Sequence, residues 1–163
     1  MASFGDEIAA AIVQKTGWEL ITREAVLKRF FEATTTKNEY HLLQNSARYF
    51  LSKSDQGTTY RSHLEVSLLR YCDNHAAVLV GFGSQVILSR HPDVLHVRII
   101  APESVRIERV RSMYHVSEEN AFKIVETADK KHHRFVSTVF GVNSADPELY
   151  DLVLNTAGLA IDE

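Results

Sequence analysis

Ala76-Ala77-Val78-Leu79-Val80-Gly81-Phe82 and Leu95-His96-Val97-Arg98-Ile99-Ile100-Ala101 are the two stretches whose reading decides the fold. Each is dominated by apolar, largely β-branched residues, without the strict polar alternation of a half-exposed strand. That is the pattern of strands buried on both faces of a parallel sheet, so both are predicted as central strands. Between them, Ser84 to Leu88 has the length of a short helix and Ser89-Arg90-His91-Pro92-Asp93 is a turn, which gives a strand–helix–strand unit. Downstream, Pro102 opens a helix predicted from about Glu103 to Tyr114, because the N–H it lacks is not needed in a first turn. Ser117 caps a longer helix that begins at Glu118-Glu119 and runs past Asp129. After a turn at Asp146-Pro147, Asp151 to Asn155 is predicted as a last strand.

Upstream, Ile8, Ile12 and Val13 recur at helical spacing within Gly5 to Thr16, with Asp6 and Glu7 in the first turn and Gly17 as the stop. Trp18 to Ile21 is a short strand candidate, and Thr22 caps a helix from Arg23 to about Ala33. Two further amphipathic helices are expected at about Glu39 to Lys53 and Tyr60 to Cys72, separated by Ser54-Asp55-Gln56-Gly57. Strands alternating with helices predict an α/β layered fold with a mostly parallel sheet. The 163 residues, 45% hydrophobic, are enough for one sizeable core and are expected to form a single domain over 1–163.

Eighteen Lys and Arg against 21 Asp and Glu leave a net charge of −3, so no overall positive field draws the chain to nucleic acid or an anionic membrane. Cys72 is the only cysteine, which rules out an intrachain disulfide and suits a reducing compartment. With no apolar run of spanning length and no basic-then-apolar leader, the expectation is a soluble cytoplasmic protein.

Gly5 stands just before a helix, where free N–H groups suit a phosphate or simply cap the helix, and Asp6 and Glu7 would repel an anion there. Arg106, Arg109 and Arg111 share one helix, and Lys130, Lys131 and Arg134 the next. Folded together they would gather around a polyphosphate, or they are solvated helix faces paired with Glu108 and Glu126. His132-His133 cannot supply the i, i+4 geometry of a helical zinc site, and Cys72 has no Cys-X-X-Cys partner.

Taken together, VLVGFGSQVIL, HPDVLHVRIIAPESVRIERVRSMYHVSEENAFKIVETADKKHHRF and DPELYDLVLNT resemble the cytidylate-kinase-like family of P-loop nucleoside monophosphate kinases. The resemblance covers Ala76 to Thr156 and extends more loosely to the front, through FGDEIA and WELITREAVL. It implies a three-layer P-loop-kinase-like fold and transfer of the γ-phosphate of ATP, with Mg²⁺, to a nucleoside monophosphate such as CMP. On this resemblance Gly5, with Asp6 and Glu7 after it, is the donor-phosphate segment, and Arg23 lies on the monophosphate side. Arg106 and Arg109 stand at the lid entrance, and Asp129 with Lys130 starts the lid.

Four positions depart from the family pattern. Asp6 stands where a phosphate-loop Lys or Arg is expected, Phe82 replaces an arginine at a strand end, and His132 and Ser137 replace lid arginines. Asp6 beside a triphosphate exchanges attraction for repulsion, about 4 kcal/mol per charge pair at 4 Å and an effective dielectric of about 20. Transfer is therefore expected to be impaired or lost, and the alternative is a catalytically silent binding or oligomerisation module. The family's first strand, in the middle of the sheet, would precede residue 1. The sheet is accordingly expected to close up, or to be completed by a second copy or a partner.

Overall fold

The computed structural model describes residues 1–55 and 57–159. In chain order the elements are α1 (Gly5–Thr16), β1 (Glu19–Ile21), α2 (Arg23–Phe31), α3 (Lys37–Asn45), a 3₁₀ turn (Ala47–Leu51) and α4 (Tyr60–Cys72). They continue with β2 (Ala77–Leu79), α5 (Ser84–Ile87), β3 (Val97–Ile100), α6 (Glu103–Tyr114), α7 (Glu118–Phe140), a 3₁₀ turn (Pro147–Leu149) and β4 (Leu152–Asn155).

The helix signals hold where capping chemistry decides them. Gly17 ends α1 in the left-handed region, with its N–H donating to Val13 O. The Thr22 hydroxyl accepts from Ala25 N at the start of α2, and Ser117 does the same for Asn120 N at α7. Two boundaries differ from expectation. The Thr34 and Thr35 hydroxyls donate to the carbonyls of Phe30 and Phe31, so α2 ends at Phe31 rather than near Ala33. The helix expected over Glu39 to Lys53 starts earlier, at a capping box between Thr36 and Glu39, and breaks at Ser46, whose backbone is extended. Beyond Ser46 the chain winds into a tight 3₁₀ turn that buries Phe50 completely.

The strands are parallel, as expected, but they do not form one sheet among the described residues. β1 pairs with β2, Glu19 opposite Ala77 and Ile21 opposite Leu79, and β3 pairs with β4, Val97 opposite Leu152 and Ile100 opposite Asn155. The expectation of central strands covered on both faces is therefore corrected. β2 is only half-buried along its length, and Val97, Leu152 and Val153 are 41%, 49% and 41% exposed. A continuous apolar run shows that a strand suits a buried sheet; it does not supply the hydrogen-bonding neighbour on its other side.

α1 packs on β1 and β2, while a Cβ on Gly5 at its start would lie 3.9 Å from Ile99 Cβ of β3, so this helix touches both pairs. The main core joins α2, α3, α4, the 47–51 turn and α7 through Phe31, Leu43, Phe50, Leu64, Phe135 and Val136. Its rings meet mostly edge-on: Phe31 with Phe50 at 5.8 Å, and Phe50 with Phe82 and Phe135 at 5.5 Å each. A smaller core of Val110, Ala121 and Val125 ties α6 to α7. Among the described residues no helix is long and apolar enough to cross a membrane.

Candidate functional site

The site forms where the ends of β3 and β4, the start of α1 and one face of α6 meet. Thr156 directly follows β4 and is 1% exposed. Its N–H donates to Ile100 O at 2.8 Å, and its hydroxyl lies 3.0 Å from Ser3 O. Residues 2 to 4 are thereby fastened to the strand ends. Ala2 and Phe4 have left-handed backbones, φ 56° and 65°, and Phe4 leads directly into α1. Left-handed residues just before a helix produce the kind of concave backbone that receives anions.

Arg106 and Arg109, one turn apart on α6, both reach this junction. Arg106 Nη1 donates to both carboxylate oxygens of Asp129 at 2.9 and 2.8 Å, and its Nε donates to Ala101 O at 3.2 Å. Arg109 donates from Nη1 to Ala2 O and Thr156 Oγ1, each at 3.1 Å, and from Nη2 to Thr156 O at 2.6 Å. The guanidinium carbon of Arg109 also sits 3.6 Å from the centre of the Phe4 ring. These cations hold α6 to α7, to the N-terminal loop and to the end of β4.

The other predicted residues are placed apart from that pair. Arg23, at the start of α2, donates to Gln44 O at 3.1 Å, and its guanidinium lies over the neighbouring rings of Phe82 and Phe135, at 5.4 and 5.1 Å from their centres. Burial lowers the pKa of this group from its ordinary value. Phe82 itself is 5% exposed at φ 63°, between Gly81 and Gly83, which are also left-handed. Lys130 turns to Glu126 at 2.8 Å and is exposed. His132 is exposed on α7, yet the protein mass around it partly removes water, which lowers its pKa and favours the uncharged ring at pH 7. The Ser137 hydroxyl donates to Arg134 O at 3.3 Å. Asp6 is exposed and Glu7 half-buried in the first turn of α1, close to Gly5.

The structure therefore brings Arg106, Arg109 and Asp129 together beside the loop that leads to Gly5, and leaves Lys130 and His132, which the sequence reading puts with them, outside that cluster. Phe4, Phe135 and Thr156 were not singled out as site residues by the sequence. Thr156 carries a signal, a hydroxyl at the end of an apolar strand, whereas nothing in the sequence marks a phenylalanine as left-handed and stacked on an arginine.

A crystal structure of an uncharacterized protein from Eubacterium ventriosum superposes with a TM-score of 0.75, covering 99% of this chain and 87% of that one at 15% identity, a likeness of fold. A uronate isomerase from Corynebacterium glutamicum is 28% identical over 86 residues, 53% of this chain. The match spans only 17% of that relative's length. The model of the cytidylate kinase-like family matches residues 1–158, and the chain therefore belongs to that family.

Proposed function

We propose that this chain is a cytidylate-kinase-like protein in which ATP-dependent, Mg²⁺-assisted phosphoryl transfer to a nucleoside monophosphate such as CMP is impaired or lost, and which acts as a nucleotide- or anion-binding module. The observation that carries this reading is the commitment of the site's arginines. Phosphoryl transfer depends on cations aimed at developing charge, positioned in advance and free to meet it. Here Arg106 is neutralised by Asp129, Arg109 is engaged by two carbonyls and a hydroxyl, and Arg23 is covered by two rings. Asp6 adds negative charge where a donor phosphate would approach.

The left-handed residues at 2 and 4, with the first turn of α1, support retained binding of a phosphate group. ATP would lie with its phosphates toward Gly5, and Mg²⁺ would supply the charge neutralisation that the arginines do not. The test is product formation from Mg-ATP with each of CMP, UMP, AMP and GMP, beside an active nucleoside monophosphate kinase. This reading expects no nucleoside diphosphate above the protein-free rate, and turnover comparable to the reference enzyme would overturn it.

A second reading, in which a strand from a second copy or a partner completes the sheet, is favoured by a separate observation. Among the described residues β2 and β3 each pair on one side only, and Leu95, Val97, Leu152 and Val153 are exposed around β3 and β4. Light scattering tests it, with a stable dimer expected and a monomer at high concentration counting against self-association.

A further inference from the structure

Two non-glycine residues at positive φ are phenylalanines, and each lays its ring on an arginine of the candidate site: Phe4 on Arg109 at 3.6 Å and Phe82 on Arg23 at 5.4 Å. Their surroundings differ. Phe82 is enclosed by Phe50 at 5.5 Å and Phe135 at 5.0 Å, so its ring has no free space to enter. Phe4 is half-buried and forms one wall of an open, largely apolar cavity of about 740 Å³ along α6, lined also by Val105, Arg109, Ser112 and Met113.

We propose that Phe4 is a self-supplied plug: its ring occupies the flat face of Arg109 and must swing into the cavity along α6 before the planar base of a nucleotide can lie there. This rests on the reading that the chain retains nucleotide binding. Bonds to Ala2 O, Thr156 Oγ1 and Thr156 O fix the Arg109 guanidinium plane, so the face that Phe4 covers is a rigid shelf. A guanidinium face receives aromatic rings, nucleobases included, through stacking and cation–π attraction. The ring already there shows that the shelf has room for one, and Val105 and Met113 offer the displaced ring an apolar bed. The loop that carries Phe4 also carries the left-handed positions next to the start of α1, so a base on Arg109 would have its phosphates directed to the same loop.

The experiment is isothermal titration of the full chain and of Phe4→Ala with two probes, Mg-ATP and Mg-tripolyphosphate, which has the phosphates without the base. The expected result is about tenfold tighter binding of Mg-ATP by Phe4→Ala, with tripolyphosphate binding unchanged. Phe4→Leu, which keeps an apolar cover without a flat ring, falls between the two and keeps the test open should the alanine variant fold poorly. Equal or weaker ATP binding by the variants, an equal change for both probes, or no ATP binding by any of the three proteins overturns the proposal. Nucleoside diphosphate formation by the parent protein would overturn the loss of transfer proposed above and leave this inference standing.

Discussion

Gly83→Ala probes the turn that holds Phe82 over Arg23. Gly83 has φ +73°, and a Cβ built there would meet the Phe140 ring at 2.2, 2.9 and 3.0 Å. Phe140 is 8% exposed, packs against Phe135 at 6.3 Å and lies under Arg61 at 5.2 Å, so its ring cannot simply move aside. An alanine in the left-handed region costs about 1–2 kcal/mol, and overpacking a filled core adds about 1–3 kcal/mol. The total is about 2–5 kcal/mol. Gly81→Ala is the internal control, because Gly81 has φ +78° with nothing within 4 Å of its would-be Cβ, and it loses only the backbone part. In urea unfolding, Gly83→Ala is expected to lose about 1–3 kcal/mol more than Gly81→Ala with an unchanged m-value. In thermal melts its midpoint falls by roughly 5–15 °C. Equal losses for the two variants would refute the argument that Phe140 closes tightly on this turn.

Arg109→Ala removes the ties to Ala2 and Thr156 and is expected to cost about 1–3 kcal/mol. Amide exchange should quicken selectively in the first turn of α1, where Ile8 N bonds to Phe4 O, and a uniform change along the chain would count against a local tie. Thr36→Ala breaks the capping box of α3 and should lower stability by about 1 kcal/mol in urea, with no loss pointing to a helix held by packing alone. Glu19 accepts from Arg29 at 3.1 and 2.5 Å and from the Tyr71 hydroxyl, and these bonds, Arg29 first, hold its carboxyl below the ordinary value of 4.5. Because the folded value lies below the unfolded one, the contribution is complete above about pH 4.5 and is lost as pH falls through the lowered folded value. The difference in urea midpoint between the parent and Glu19→Gln should therefore narrow from about pH 5 to about pH 2, and a constant difference would contradict this assignment.

Much of the helical scaffold is legible in the sequence because caps are local chemistry. Thr22, Ser117 and Gly17 act within four residues of themselves. The division of the sheet is not legible, since Val78 and Ile99 have the same β-branched preference whether a strand lies on one side or both. The break at Ser46 escapes periodicity for a related reason: Phe50 reaches the core from a 3₁₀ turn as well as it would from an α-helix. In the site, Arg106 and Arg109 at i, i+3 on one helix are readable as partners. Their availability is not, because it depends on Asp129, Thr156 and Phe4, which come from three other parts of the chain.

The commitment of the site's arginines is tested most directly by titrating Mg-ATP into the protein with CMP present and absent, at low ionic strength and with oligomeric state checked by light scattering. A kinase with free cations on both sides of the transfer couples its donor and acceptor sites. The structure predicts that CMP leaves the ATP isotherm unchanged, because Arg23 is engaged by Gln44 O and laid over the Phe82 and Phe135 rings, and Arg106 is held by Asp129. Micromolar Mg-ATP binding that tightens severalfold with CMP would contradict the account and return the site to phosphoryl transfer.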